Sequence, residues 1–90
     1  MILAIQEKVR AQAYEFAIPH FFEEMAEDRL MLLDVEHATV NGLIRRRFTR
    51  EPRGIRYEVV GPATDGRELA VICRVKETGK LLLITVYALE

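Results

Sequence analysis

Cysteine is almost missing from this chain. Cys73 stands alone among 90 residues, so no internal disulfide can form. A single thiol inside an apolar run fits a reducing compartment. Long apolar stretches are missing too. The longest, Leu81 to Leu89, is broken by Thr85 and falls well short of the ~18 residues of a membrane span. The apolar start, Met1 to Ile5, meets Glu7 too early for a signal peptide. A cytoplasmic chain that does not enter a membrane is expected. His20 and His37 lie 17 residues apart, and with one cysteine they show no zinc spacing. There is no glycine-rich phosphate loop, no nucleophile elbow and no paired-carboxylate motif. No metal and no cofactor is predicted. Repeats, low-complexity stretches and linkers are absent, so residues 1–90 read as one domain.

Half of the residues are hydrophobic and 30% are charged, enough for a core without staples at this length. The net charge of −1 argues against nucleic-acid binding over the whole surface. Its distribution says more. Residues 45–56 carry Arg45, Arg46, Arg47, Arg50, Arg53 and Arg56 against the single acid Glu51, a local charge of +5, and the remainder carries −6. Such asymmetry points to an anionic partner at one end, RNA or an acidic chain. The bland alternative is a solvated arginine-rich loop.

The periodicity divides the chain near Gly42, with a helical part over 1–42 and an antiparallel sheet over 43–90. Ile2, Ile5 and Val9 recur at helical spacing, which predicts a first helix over 2–12. Tyr14 to Ile18 alternates and reads as a short strand or a helix continuation. Pro19 disfavours a helix through Ile18, because the residue before proline avoids the α region. From His20 to about residue 31, Phe21, Phe22, Met25, Ala26, Leu30 and Leu33 share one arc, opposite Glu23, Glu24, Glu27 and Asp28. Asp34 is placed as the N-cap of a further helix, Val35 to Val40, closed by Asn41-Gly42.

Beyond Gly42 the period is two. Leu43 to Thr49 suits an edge strand and Ile55 to Val60 a second strand. Leu69 to Val75 and Leu81 to Ala88 follow, the last apolar on both faces and hence central. A two-residue turn at Thr78-Gly79 would pair Arg74 with Leu83 and Ile72 with Thr85. It would turn Leu69, Val71, Cys73 and Val75, with Leu82, Ile84, Val86 and Ala88, towards the helices. A three-residue turn with a bulge would shift that register. The expected fold is α+β, with N-terminal helices on one face of an antiparallel sheet of three to four strands.

The other face would then display Arg74, Thr85 and Tyr87, joined by Arg56. Arginine, tyrosine and histidine are the tools of metal-free RNA cleavage. A base takes the 2′-hydroxyl proton, cations hold the crowded phosphate, and an acid protonates the leaving oxygen. Against this stands an ordinary solvated sheet face, where Thr and Tyr follow strand propensity. His20 could serve as acid or base, or simply cap its helix. Arg29 falls inside the apolar arc, so it must snorkel, pair with Asp34, or meet an anion. His37 reads as a surface residue and Cys73 as an inert core thiol.

Four stretches carry a resemblance: His20-Phe-Phe-Glu-Glu-Met25-Ala-Glu-Asp-Arg29, Asp34-Val35-Glu36-His37-Ala38, Asn41-Gly42-Leu43-Ile44 and Gly79-Lys-Leu-Leu-Leu-Ile-Thr85-Val86-Tyr87. In this order the chain resembles, over roughly residues 14–88, the bacterial domain family numbered four-two-five-eight among domains of unknown function. The resemblance implies kinship with RelE/ParE-like and BrnT-like toxins and the barnase-like ribonuclease fold. It also implies metal-independent RNA cleavage and neutralisation by an antitoxin. His20 and Thr85 match the family pattern. Asp28 stands where an arginine is usual, with Arg29 one residue later. Glu24 replaces another arginine, and Phe21 a small residue.

The expected function is a toxin-like, RNA-cleaving or RNA-binding domain with His20, Arg29, Arg74, Thr85 and Tyr87 as catalytic residues. Arg45, Arg46, Arg47, Arg50, Arg53 and Arg56 would bind RNA. The alternatives are a non-catalytic binding module and a structural homo-oligomer, such as a homodimer, packed through the apolar last strands.

Overall fold

Three helices and five strands follow one another through the chain, in a computed structural model that describes residues 1–89. They are α1 (Ile2–Arg10), β1 (Tyr14–Phe16), α2 (His20–Glu27), α3 (Leu32–Val40), β2 (Leu43–Phe48), β3 (Arg56–Pro62), β4 (Glu68–Val75) and β5 (Leu81–Ala88). The fold is α+β, but the sheet has five strands in the order β1-β5-β4-β3-β2 and is mixed. The expectation of three to four antiparallel strands misses β1, which joins parallel to β5. Its alternation left a short strand or a helix continuation open, and its partner lies far along the chain. The alternation at Tyr14 is therefore strand, not helix. β5 is internal and β2 lies at an edge, both as expected.

Ile5 and Val9 of α1, Phe21 and Met25 of α2, and Val35 and Ala38 of α3 bury against Tyr57, Val59, Val71, Cys73, Leu81, Leu83 and Val86 of the sheet. The burial of that many full side chains, each contributing about 1.5–3 kcal/mol, is the main force holding the layers together. Closeness of approach is set by two glycines. A Cβ on Gly61 would stand 2.0 Å from the Ala38 carbonyl oxygen, and one on Gly42 would stand 2.5 Å from it. α3 can lie on β3 only because both positions lack a side chain. Gln6 ties α1 to the same place, donating to the Gly42 carbonyl at 3.1 Å.

α2 ends at Glu27, four residues before the end predicted from its arc. Arg29 turns to the left-handed region at φ 54°. The Arg29 N–H donates to Ala26 O and the Leu30 N–H to Met25 O, the paired bonds of a Schellman close. Arg29 is therefore exposed, not on the helix's apolar arc, and Phe22 and Leu33 are exposed too. Asp34 is buried but is not the N-cap. α3 begins at Leu32, and the Asp34 carboxylate reaches back to the Met31 N–H at 2.8 Å. Its other oxygen accepts from the Thr64 N–H at 3.1 Å and hydroxyl at 2.5 Å. Asp34 thus fastens α3 to the β3–β4 turn instead of pairing with Arg29.

The β4–β5 hairpin closes through three residues, with Lys76 N–H donating to Lys80 O and Gly79 at φ 92°. Ile72 pairs with Thr85 as expected, but Arg74 pairs with Leu82, because a bulge lies between Ile72 and Cys73. Leu81 and Leu83 consequently face the core with Val86. Ile84 and Thr85, the two residues between, are left to the opposite face. The predicted core positions Leu82 and Ile84 are corrected by this one-residue shift.

Candidate functional site

The sheet face away from α1 and α3 gathers polar side chains in rows. Direct neighbours across the strands are Arg46, Glu58, Ile72 and Thr85, and the adjacent row holds Phe48 and Arg56. Tyr87 lies beside Ala70. Arg74, two residues along from Ile72, shares this face but pairs with Leu82, on the other side of the bulge from Thr85.

His20 reaches this face from its edge. It opens α2 just after the cis Ile18–Pro19 peptide. Its Nε2 lies 3.4 Å from the Thr85 hydroxyl and 3.2 Å from Glu24 Oε2. The ring is more than half exposed, so a substrate proton can reach it. Thr85 can bridge the imidazole and a bound phosphate, because a hydroxyl both donates and accepts.

Glu24 has a second task. Its other oxygen accepts the Val86 N–H at 3.1 Å, and the Asp28 carboxylate accepts the Ala88 N–H at 2.9 Å. Beyond the short β1, the outer side of β5 would expose these donors, and α2 supplies acceptors for them. Glu24 and Asp28 are thus backbone acceptors for β5. Glu24 and Asp28 were missed as functional positions, since nothing in the spacing of α2 shows that a strand edge lies alongside.

The centre of the face is organised by Glu58, whose side chain is 3% exposed. It accepts from Arg45 Nε at 2.8 Å and from the Tyr87 hydroxyl at 2.8 Å, with Arg46 at 3.7 Å. A bulge between Ile44 and Arg46 lets two consecutive arginines reach one carboxylate. The Arg45 guanidinium holds the Glu58 carboxyl below its ordinary range, with Tyr87 and Arg46 acting in the same direction. Tyr87 is raised in turn by its bond to that carboxylate and by burial. The expected strand Ile55 to Val60 includes Glu58 but gives no sign of its partners.

Of the residues expected to act together, the fold brings together His20 and Thr85, with Tyr87 near the Arg45–Glu58 pair, while Arg74 lies elsewhere on the same face, turned to the Arg53 carbonyl. It separates Arg29, which lies past the C-terminal end of α2, a helix that rises about 10 Å from His20. No carboxylate among the described residues pairs with Arg29. The arginine-rich segment divides. Arg45, Arg46 and Arg56 stand on the open face. Arg47 pairs with Tyr57 and so faces the helix side. Arg50 and Arg53 belong to the β2–β3 loop. That loop is held by Arg56 Nε on Glu51 at 2.9 Å and by Arg74 donating to the Arg53 carbonyl at 3.2 Å.

Among the described residues no three of His, Cys, Asp and Glu converge as a metal site. Among the described residues no helix is long and apolar enough to cross a membrane. His37 is exposed and bonds the Pro62 carbonyl at 2.8 Å. Cys73 is buried, which pushes its thiol up to about 12 and keeps it protonated and inert.

The family model described as Domain of unknown function (DUF4258) matches residues 19–88. No curated protein and no solved structure matches the chain.

Proposed function

We propose that this chain, which belongs to the DUF4258 family, binds RNA on the open face of its sheet and cleaves it without a metal. The reading is carried by one observation: the exposed imidazole of His20 lies 3.4 Å from Thr85, on a face that also bears Arg46, Arg56 and Arg74. In this reading arginines of the open face, led by Arg74, hold the scissile phosphate and Thr85 orients it. His20 takes the 2′-hydroxyl proton, and the freed oxygen attacks the adjacent phosphorus. A 2′,3′-cyclic phosphate forms, the 5′-oxygen leaves, and the proton on His20 passes to it. Arg45 and Tyr87, both bound to Glu58, shape the floor on which the strand lies. Arg29 has no role in the chemistry.

The same proposal makes the chain toxin-like, akin to RelE/ParE-like and BrnT-like toxins of the barnase-like fold, acting in the cytoplasm and restrained by an antitoxin. A second reading, binding without cleavage, is favoured by the way Tyr87 and Arg45 are occupied by Glu58 instead of free for a substrate.

The deciding experiment incubates the purified chain with a fluorescent RNA in excess chelator, beside His20→Ala and Arg74→Ala. Cleavage to cyclic-phosphate ends by the wild type, with about 10²–10⁴-fold loss in His20→Ala, supports catalysis. Salt-sensitive binding with no product moves the function to the second reading. Neither binding nor cleavage removes both and leaves a structural homo-oligomer.

A further inference from the structure

We infer that the outer edge of β2 is a docking site for an extended, acidic segment of a protein partner, added as a sixth strand. The proposal does not depend on the RNA reading.

The two edges of the sheet are treated differently. On one side β1 covers the first residues of β5, and Glu24 and Asp28 take the Val86 and Ala88 N–H groups. On that side only the three residues of β1 remain as an open ladder. On the other side β2 pairs only with β3, and among the described residues no side chain or loop bonds its outer backbone. An unsealed edge of six residues offers a ladder to an incoming strand.

Side chains along β2 define what can be added. The bulge sends Arg45 and Arg46 to the open face, while Arg47 faces the helix side beside Tyr57. Cations therefore flank the edge above and below. Among the described residues Arg47 has no ion-pair partner. Next to it lies a recess of about 640 Å³ lined by Met1, Ile2, Leu43, Ile44, Arg47 and Tyr57. Leu43 is 73% exposed beside it. The recess is large enough for an aliphatic side chain, and Arg47 marks its polar end. A strand placing a carboxylate at Arg47, another at Arg46 and an aliphatic residue in the recess satisfies all three.

A second copy of this chain fits poorly. Antiparallel pairing of β2 with itself about its middle, at Arg46, sets Arg45, Arg46 and Arg47 against the same three residues of the partner, and like charges directly opposite are unfavourable. The arginines thus reject self-pairing while attracting acids, which is selection by charge.

The test uses the full chain and a capped heptapeptide, Val-Thr-Glu-Glu-Leu-Thr-Val. Its glutamates would meet Arg47 and Arg46, and its leucine would share the face of the first. Binding is followed by amide chemical shifts and hydrogen exchange. The expected result is slowed exchange of amides within residues 43–48, with no binding of the Lys-Lys-Leu counterpart. Arg47→Glu, at an exposed position, is expected to fold normally and to weaken binding by about tenfold or more. Backbone N-methylation of alternate peptide residues keeps the charges and is expected to abolish binding. Absence of binding at millimolar peptide, binding that survives N-methylation, or protection confined to other strands overturns the proposal. RNA cleavage by the same preparation is measured separately, so either reading can fail alone.

Discussion

Glu58 and Tyr87 stand on strands separated by β4, yet the phenol of one donates to the carboxylate of the other at 2.8 Å across Ala70, which buries completely beneath them. With Arg45 added, the polar face acquires a fixed centre. Its members are not equivalent, because Glu58 is buried while Arg45 and Arg46 keep much of their surface in water.

That inequality predicts an asymmetric mutational response. Arg45→Met strands a buried carboxylate and is expected to cost about 1–3 kcal/mol. Glu58→Gln lets both arginines return to solvent and is expected to cost less than about 1 kcal/mol. Urea unfolding of the two variants beside the wild type measures the difference, and equal losses would contradict it.

Acid should weaken the fold through two named groups. The carboxyls of Glu58 and Asp34 are both held below their ordinary range, Glu58 chiefly by Arg45 and Asp34 chiefly by the Thr64 hydroxyl. A lowered folded value adds stability that is complete above the unfolded value, about 4, and is lost as the pH falls through the folded value. Stability should therefore decline below about pH 4. Glu58→Gln and Asp34→Asn should each flatten that decline when the urea midpoint is followed against pH.

Gly61→Ala is expected to be among the most damaging single-methyl changes, because its Cβ would meet the Ala38 carbonyl at 2.0 Å. A loss of about 1–3 kcal/mol or more is expected from this overpacking. Gly66→Ala, with nothing within 4 Å of its Cβ, pays only for its left-handed φ of 90°. Thermal melts of the pair separate the clash from the backbone effect.

Removing the sealing acids should expose an edge. Glu24→Ala with Asp28→Ala leaves the Val86 and Ala88 N–H groups without acceptors, and the double variant is expected to self-associate. Light scattering at micromolar concentration reads this directly, and a monomer would show that β1 alone protects β5.

If RNA lies on the open face, Arg56→Ala should lower affinity and reduce the slope of log affinity against log salt by about 1. Arg29→Ala, at the remote end of α2, should change neither. Filter binding over a salt series distinguishes them.

Much of this architecture was legible from periodicity alone. The change of period at Gly42, the three helices and four of the strands follow from where apolar residues recur. The errors have local physical causes. α2 ends early because Arg29 takes a left-handed turn usually given to glycine, so no stop signal is visible. The face of Leu81 to Ile84 is inverted because a bulge breaks alternation without changing composition. His20 and Thr85 could be named from the resemblance, but the roles of Glu24, Asp28 and Glu58 depend on which strand each one meets. Such long-range relations leave no mark in spacing.

The bulge at Ile84 has a consequence for how the chain can vary. β5 runs in two phases, one setting Leu81 and Leu83 against the helices, the other setting Thr85 and Tyr87 towards His20 and Glu58. Ile84 is the surplus residue, and the bulge absorbs it. Deleting Ile84 would restore strict alternation, with Leu81, Leu83 and Val86 still inward and Thr85 and Tyr87 still outward. Keeping Ile84 on an unbulged strand would instead turn either the leucines or the threonine to the wrong side, so the bulge is what lets the strand carry the extra residue without losing scaffold or site.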